Sequence, residues 1–386
     1  MYSISDYGAM IADRVRTGAF VRALRAAVKP DSTVVDIGTG TGIFALLACA
    51  FGARRVYAIE PDDAIQLARE MALANGWADR IHFHQALSTD VTLPERVDVI
   101  VSDIGGTLPW FRNHIRSIAD ARQRFLDPGG ILIPQQDTAW AAVIESPDWY
   151  AEHTGPWQDN GFGLDMDVAR RLVTNMFGTG RVTPDQLLTE PRRWATVDYG
   201  RVEAPDVHSA IKWSVTRAGV GHGLATGFDR IVIPGVHLSN APDAPESTRP
   251  EHIYGHMLFP WSTPVSLAAG DQVTVDIEAR LIGEDYVWSW NTRVLEGGSA
   301  DAEKAHFRQS TFFGSPLTAA KLHKRGASYR PTLTEDGRMA RFVLESMNLR
   351  LPLGEIARQL SAEFAGRFQH PKDTLSYVAD LAQKYG

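Results

Sequence analysis

One stretch decides the fold of this 386-residue chain: Thr33-Val34-Val35-Asp36-Ile37-Gly38-Thr39-Gly40-Thr41-Gly42-Ile43-Phe44. A β-branched run ends at Asp36, and three alternate glycines then lead into an apolar segment typical of a helix. In a doubly wound parallel sheet, such a turn follows the first strand and brings a nucleotide-like ligand against bare main chain. The stretch therefore predicts such a sheet, with a ligand site where its strands end.

A second acid narrows the choice of ligand. Glu60 closes the apolar run 55–59, where a carboxylate binds both hydroxyls of a ribose. Dinucleotides and S-adenosylmethionine both fit, and the spacing leaves NAD open because Ala45 satisfies the relaxed dinucleotide pattern. Asp36 favours S-adenosylmethionine, since a carboxylate there repels a pyrophosphate and attracts a methionine ammonium.

Composition limits the class of protein. A length of 386 residues, 44% of them hydrophobic, predicts two or three globular domains. The single cysteine, Cys49, excludes an internal disulfide and a zinc cluster, and we expect no metal in the site. The net charge of −7, with only a mildly basic tail after residue 318, argues against nucleic-acid binding. No signal peptide or membrane-length apolar run is visible, so a soluble cytoplasmic protein without membrane contact is expected.

The order of predicted elements gives the architecture. Residues 1–27 have helical periodicity, and the strands 33–36, 55–59, 81–84, 97–102 and 131–134 then alternate with helices. Asp-Pro-Gly-Gly at 127–130 predicts a turn before the last of these strands. Short β-type segments follow residue 146, as in an antiparallel barrel, and helices return after residue 313. The predicted domains are N-terminal helices over the cofactor (1–30), a Rossmann-like doubly wound α/β domain (31–146), an antiparallel β-barrel substrate domain (147–315) and a small helical or winged-helix domain (316–386).

Three segments resemble the protein arginine methyltransferase family: Asp13-Arg14-Val15-Arg16-Thr17, Asp36-Ile37-Gly38-Thr39-Gly40-Thr41-Gly42-Ile43 and Leu126-Asp127-Pro128-Gly129-Gly130-Ile131-Leu132-Ile133-Pro134. The resemblance covers most of the chain and implies S-adenosylmethionine as cofactor, methyl transfer as activity and a dimer as assembly. It also implies that Arg16 binds the cofactor carboxylate, while Ser88, at the end of the third strand, lies where the adenine edge is usually bound. The predicted cofactor-binding residues are Arg16, Asp36, Gly38, Thr39, Gly40, Gly42, Ile43, Glu60, Pro61, Ala86, Leu87, Ser88 and Asp103.

The departures from the family fall at the acceptor site. After its fourth strand the family carries a loop with two glutamates, which clamp a guanidinium by paired hydrogen bonds. Here the loop is Ser102-Asp103-Ile104-Gly105-Gly106-Thr107-Leu108-Pro109-Trp110-Phe111-Arg112-Asn113-His114, so Asp103 replaces the first glutamate and Arg112 the second. The family's threonine-histidine-tryptophan loop is matched by Glu251-His252-Ile253-Tyr254-Gly255-His256, where Ile253 and Tyr254 replace the histidine and the tryptophan. These changes predict an acceptor other than arginine.

Three residues are candidates for catalysis: Asp103, Arg112 and His256. Asp103 ends the fourth strand at the cofactor edge, so we expect it to orient or deprotonate the acceptor; a helix or turn cap is the alternative. Arg112 either pairs with an anionic substrate group or lies on the surface. His256, like His114 and Tyr254, either lines the acceptor pocket or has a packing or surface role.

The tail carries a second resemblance. Residues 329–385 resemble the PqqD-like winged-helix domains that bind leader peptides, on the strength of Gly354-Glu355-Ile356-Ala357-Arg358-Gln359-Leu360. The alternative is a helical appendage that packs on the barrel or makes a homodimer. The sequence thus predicts methyl transfer from S-adenosylmethionine to a peptide, a protein or a small molecule. A catalytically weakened binding protein and an NAD-dependent oxidoreductase are the alternatives.

Overall fold

The computed structural model describes residues 2–158, 161–250, 253–298 and 302–386. The chain divides into two compact units, Met1–Pro316 and Leu317–Gly386. Within the described ranges, no helix combines the length and the apolar character needed to cross a bilayer.

The first unit begins with two helices, α1 (Ile4–Ala12) and α2 (Arg14–Ala27). The second starts at a capping side chain, because the Arg16 amide donates a hydrogen bond to the Asp13 carboxylate at 3.0 Å. Helix α2 buries an apolar face that includes Phe20, whereas α1 has no fully buried residue. Both helices lie in the segment whose periodicity predicts helices.

A parallel sheet follows, and its strands alternate with helices. The elements are β1 (Thr33–Ile37), α3 (Ile43–Ala50), β2 (Arg55–Ile59), α4 (Ala64–Ala74), β3 (Ile81–His84), β4 (Val97–Ser102), α5 (His114–Arg124) and β5 (Leu126–Ile133). The strand order is β3-β2-β1-β4-β5. The central strands are short apolar runs buried on both faces, as expected where helices cover a parallel sheet. The predicted doubly wound α/β fold is confirmed.

Strand β5 differs from its prediction. The sequence predicts a turn at 127–130 and a strand from residue 131, but the strand already begins at Leu126. Its pairing with β4 skips from Leu126 to Ile131, so the intervening residues bulge out of the ladder around Gly129, which has φ +86°. The turn residues therefore make a bulge within the strand.

Two antiparallel sheets complete the first unit. Their strands, with two helices between the first and the second, are β6 (Gln136–Ile144), α6 (Pro147–Thr154), α7 (Asp167–Val173), β7 (Gly178–Gly180), β8 (Arg192–Asp198), β9 (Val207–Ser214), β10 (Gly219–Ile233), β11 (Val236–Ser239), β12 (His256–Leu267), β13 (Gln272–Ile282), β14 (Asp285–Leu295) and β15 (Glu303–Ser310). One sheet has the order β7-β12-β10-β6-β8, with β11 paired to β10, and the other has the order β15-β14-β13-β9. Their strands contribute a buried aromatic core that includes Trp213, Trp261, Trp288 and Trp290. The predicted antiparallel β region is confirmed.

Strand β6 corrects the boundary between these regions. It lies inside the range predicted for the α/β domain, 31–146, but it pairs with β8 and β10. Because β6 is buried along nearly its whole length, its sequence lacks the alternation that distinguishes an antiparallel strand. The antiparallel region therefore starts at Gln136, ahead of the predicted residue 147.

The second unit is helical throughout. Its helices are α8 (Ala319–Arg325), α9 (Glu335–Asn348), α10 (Leu353–Glu363) and α11 (Pro371–Tyr385). Apolar side chains at helical spacing form its core, including Met339, Val343, Ile356, Leu360 and Val378. No strand lies in residues 317–386, all of which are described. The structure therefore agrees with the helical alternative for the tail, since residues 317–386 contain no strand that could form the wing of a winged helix.

Candidate active site

The carboxyl ends of β1, β2 and β4 meet at one edge of the parallel sheet. Ile37 pairs with Ile59 on one side and with Ser102 on the other, so the residues that follow these strands lie side by side. They are the glycine-rich turn after β1, Glu60 after β2 and Asp103 after β4. The fold thus brings the predicted cofactor turn and the predicted acceptor loop to one place.

Asp36 is a buried carboxylate with one unused oxygen. It is 1% exposed, and its Oδ2 accepts hydrogen bonds from the Thr39 hydroxyl at 2.6 Å and from the Ala45 amide at 3.0 Å. Its Oδ1 accepts no hydrogen bond from the described part of the chain. Burial raises the pKa of Asp36 to about 7 against the effect of the two hydrogen bonds, and the Glu60 charge adds to the rise. A free acceptor atom in such surroundings suits a cationic ligand group.

Glu60 closes the other side of the turn. The Gly40 amide donates to its Oε2 at 3.0 Å, and the Asp62 amide donates to its Oε1 at 3.1 Å. Each oxygen therefore has a remaining lone pair for a neighbouring hydroxyl. Burial raises the pKa of Glu60 as well. Together with the unused oxygen of Asp36, these acceptors fit the ribose hydroxyls and the ammonium of S-adenosylmethionine.

The turn requires glycine for space and for conformation. Gly40 has φ +52°, and a Cβ atom there would lie 2.5 Å from the ring of Tyr7 in α1. Gly38 has φ +73°, and a Cβ atom there would lie 2.3 Å from Cγ2 of Ile104 in the acceptor loop. Helix α1 and the acceptor loop therefore both pack directly on the glycine-rich turn.

The remaining predicted cofactor residues follow the same strands. Thr39, Gly42 and Ile43 belong to the turn and to the start of α3, and Pro61 follows Glu60. The last three, Ala86, Leu87 and Ser88, come after β3, whose final residue pairs with Ile59. Ser88 is buried and Leu87 is exposed. Their placement at the edge agrees with the predicted adenine site, and their contact with the cofactor stays a prediction.

Asp103 lies in a buried cluster of charges. Its Oδ2 accepts hydrogen bonds from Nε of Arg16 at 2.8 Å and from the Tyr254 hydroxyl, and Nη2 of Arg16 forms an ion pair with the same oxygen at 2.5 Å. Its Oδ1 accepts a hydrogen bond from Nη1 of Arg230 at 2.9 Å. The side chains of both arginines and of Asp103 are almost fully buried.

Asp137 of β6 extends this cluster. Arg230 donates to its Oδ1 from Nε at 2.7 Å and to its Oδ2 from Nη2 at 2.9 Å. The Tyr199 hydroxyl donates to the same Oδ2 at 2.8 Å and lies 2.9 Å from Nε2 of His114. Two arginines against two aspartates make the cluster electrically neutral, which is how a protein interior tolerates charge.

This environment argues against the predicted role of Asp103 as a base. Burial by itself raises the pKa of the Asp103 carboxyl, but the charges of Arg16 and Arg230 and the hydrogen bond from Tyr254 hold the pKa below its ordinary value. A carboxylate of lowered pKa surrounded by donors takes a proton poorly. Asp103 therefore holds the charge cluster together, and of its two predicted roles the orientation of an acceptor fits this environment better than its deprotonation; both stay predictions.

Arg16 is also engaged within the protein. Besides its two N–H groups on Asp103, its Nη1 donates to the Met10 carbonyl at 3.2 Å. Two of the five guanidinium N–H groups remain. These groups are available to a cofactor carboxylate while Arg16 holds Asp103, and the contact of Arg16 with the cofactor stays a prediction.

The other two catalytic candidates have different surroundings. Arg112 is exposed, has φ +45° and lies over the Phe111 ring at 5.3 Å, so its surface alternative holds. His256 is buried with both ring nitrogens in use: the Val182 amide donates to Nδ1 at 2.8 Å, and Nε2 donates to the Asn240 carbonyl at 2.5 Å. Burial lowers the pKa of His256 to about 4, so the ring is neutral and has a structural role. Neither placement supports catalysis by these side chains.

Sequence reasoning missed Arg230, Asp137 and Tyr199. One signal was available, because Arg230 lies between Phe228 and the apolar run 231–233 of β10 and follows Asp229, and a charge buried in such a strand requires a partner. Glu251 and His252, which belong to the second altered loop, lie outside the described residues. Across the described ranges, no three His, Cys, Asp or Glu side chains lie together as metal ligands would.

The sequence is similar to several methyltransferases. Residues 16–135 match the family described as ribosomal protein L11 methyltransferase (PrmA). The chain is 30% identical over 229 residues to probable protein arginine N-methyltransferase 6 of Arabidopsis thaliana, covering 57% of this chain and 52% of that protein. It is 30% identical over 263 residues to protein arginine N-methyltransferase 6 of Xenopus tropicalis, covering 63% of this chain and 76% of that protein. It is 31% identical over 307 residues to protein arginine N-methyltransferase PRMT10 of Oryza sativa subsp. japonica, covering 69% of this chain and 78% of that protein. The chain thus spans about half the length of the Arabidopsis protein and about three quarters of the other two.

Two solved structures share the fold. Arabidopsis thaliana protein arginine methyltransferase 10 has a TM-score of 0.68 at 22% identity, over 80% of this chain and 97% of that chain. A chain of the Trypanosoma brucei PRMT1 enzyme-prozyme heterotetrameric complex with AdoHcy has a TM-score of 0.71 at 22% identity, over 80% of this chain and 98% of that chain. At this identity the likeness concerns the fold, which agrees with the α/β and antiparallel regions described above.

Proposed function

Since this chain belongs to the protein arginine N-methyltransferase family and is an S-adenosylmethionine-dependent methyltransferase, we propose that its methyl acceptor is a group other than the arginine guanidinium. The names of the relatives favour a polypeptide as the acceptor molecule. The acceptor site of this chain disfavours arginine as the modified side chain.

The observation that carries the proposal is that Asp103 is already paired with cations and a hydroxyl of its own chain. A guanidinium acceptor requires carboxylate oxygens that are free to accept its hydrogen bonds. Both oxygens of Asp103 are already bound by Arg16, Arg230 and Tyr254. Arg16 and Arg230 already balance the charges of Asp103 and Asp137, so a further guanidinium would meet no unpaired carboxylate in this cluster.

Different residues of the chain bind the cofactor and position the acceptor loop. S-adenosylmethionine supplies a methyl group already activated by its sulfonium, so the protein has to position an acceptor and exclude water. Asp36, Glu60 and the glycine-rich turn offer the acceptors that hold the cofactor. The neutral cluster around Asp103 fixes the acceptor loop beside them. Because the pKa of Asp103 is lowered, we expect an acceptor that reacts without proton removal by this carboxylate.

Methyl-labelled S-adenosylmethionine tests this function. The protein is incubated with a heat-treated, undialysed lysate of its source organism. Macromolecules are then separated from small molecules, and the labelled macromolecules are hydrolysed to amino acids. A Gly40→Val variant, whose side chain would displace Tyr7 from the cofactor turn, gives the background. Label in an amino acid other than methylarginine is expected. Methylarginine as the main labelled product would refute the proposal, and label confined to small molecules would replace the polypeptide acceptor by a metabolite.

The oligomeric state is a separate proposal. We propose a homodimer, which is supported by apolar side chains on the surface around α6 and α7, such as Trp157 at 40% and Val168 at 67% exposure. Light scattering after gel filtration should give twice the mass of the chain, and Val168→Asp should reduce it. A monomer at every concentration of the wild type would refute the dimer.

A further inference from the structure

Arg230 is among the largest fully buried side chains of the protein, with 2% exposure. A cation at such depth requires partners that satisfy both its charge and its N–H groups. Three N–H groups of Arg230 donate to carboxylates: Nε and Nη2 to Asp137, and Nη1 to Asp103. The guanidinium is thus bound on two of its edges.

These surroundings have the geometry of a receptor for a guanidinium group. Asp137 binds one edge through paired hydrogen bonds of 2.7 Å and 2.9 Å, the arrangement that a planar guanidinium and a carboxylate favour. Asp103 binds a second edge at 2.9 Å. The rings of Phe228 and Tyr254 have their centroids 4.8 Å and 5.4 Å from the guanidinium carbon, within range of cation–π attraction.

We propose that Asp103, Asp137, Phe228 and Tyr254 form a binding site for a guanidinium group and that Arg230 fills this site from within the chain. Arg230 then determines acceptor specificity, because a tethered guanidinium has an effective concentration that a free one rarely reaches. The role of Arg230 in acceptor specificity rests on the proposed function. The existence of the guanidinium site does not rest on that function, since binding to the site can be measured without methyl transfer.

Arg230→Ala tests the site directly. The substitution removes the guanidinium and leaves both carboxylates, so the variant is expected to melt at a lower temperature than the wild type. Methylguanidinium, at millimolar concentrations far below those that denature proteins, should raise the Tm of this variant in a saturable way, because it binds the folded state. Methylammonium and sodium chloride at the same concentrations control for charge and ionic strength. The wild type should show no saturable rise.

Two further variants make the test specific. Arg193→Ala removes an exposed arginine of β8 that pairs with Asp229, and it should respond as the wild type does. Arg230→Ala combined with Asp137→Asn removes the carboxylate that makes the paired contact, so its response to methylguanidinium should be lost. If Arg230→Ala does not fold unaided, its refolding yield with methylguanidinium against methylammonium gives the same comparison.

Different results would refute the guanidinium site and the proposed function. Equal effects of methylguanidinium and methylammonium, or a methylguanidinium effect that survives the loss of the Asp137 carboxylate, would refute the guanidinium site. Methylarginine made by the wild-type enzyme would refute the proposed function, while the binding measurement would still decide about the site.

Discussion

Cofactor binding is expected to depend steeply on pH below neutrality, and the cause is Asp36. Burial raises the pKa of Asp36 to about 7, with a further contribution from the charge of Glu60. At pH 5 most of the free protein therefore has a neutral Asp36, which cannot pair with the ammonium of S-adenosylmethionine. Binding then has to release that proton, so the affinity falls as the pH falls.

The magnitude follows from proton linkage. If the bound ammonium keeps Asp36 ionised down to pH 5, the apparent affinity is proportional to the ionised fraction of Asp36 in the free protein. That fraction is about one hundredth at pH 5 and about one half at pH 7, so the Kd should fall about fifty-fold between these values.

The same shift has a defined sign for folding. The pKa of Asp36 in the folded state, about 7, lies above the ordinary value of 3.8. The folded state therefore holds the proton more tightly, and this contribution to stability is complete below about pH 4 and lost as the pH rises through about 7. The free energy of unfolding without cofactor should decrease by up to about 4 kcal/mol over that range from this group.

Isothermal titration calorimetry with S-adenosylhomocysteine measures the binding effect, because this ligand has the same ammonium and does not react. The matched control is Asp36→Asn, which should bind more weakly at pH 7 and change little with pH. Glu60→Gln separates the contribution of the neighbouring carboxylate. A wild-type Kd that is constant from pH 5 to pH 7, or an equal slope in Asp36→Asn, would refute Asp36 as the partner of the ammonium.

Three further predictions concern the turn, the acceptor loop and the charge cluster. Gly40→Ala places a methyl group 2.5 Å from the Tyr7 ring at φ +52° and should weaken cofactor binding by about tenfold or more. The control Gly76→Ala, at φ +74° with open space around its Cβ atom, should leave cofactor affinity unchanged. Equal cofactor affinities of the two variants by calorimetry would contradict the close packing of Tyr7 on Gly40. Trp110→Ala truncates a buried side chain of the acceptor loop and should lower the free energy of unfolding by about 3–5 kcal/mol in urea denaturation; a loss below about 1 kcal/mol would show that this side chain does not anchor the loop. Asp103→Asn removes one of the two carboxylates that pair with the buried arginines, and it should lower the free energy of unfolding by about 3–5 kcal/mol in urea denaturation. Unchanged stability would contradict the charge cluster.

The sequence predicted the parallel sheet and the cofactor edge because their signals are local. A short apolar strand, the three alternate glycines and the acid at Glu60 each have a meaning that neighbouring residues supply. The antiparallel strand β6 was missed because full burial removes the alternation by which such strands are recognised. For the tail the sequence left a winged helix and a helical appendage open, because short helical segments carry no information about strands beyond them.

The sequence by itself determined that this protein has a doubly wound sheet with a glycine-rich cofactor turn, and that its acceptor loop departs from the family at Asp103 and Arg112. Only the tertiary structure decided what those departures do. Arg16 and Arg230 reach Asp103 from 87 and 127 residues away, and Asp137 completes the cluster from a different sheet. The pKa and the available hydrogen bonds of a buried carboxylate depend on the charges that surround it in space. Sequence spacing does not encode those neighbours, so the pairing of Asp103 with two buried arginines appeared only in the folded chain.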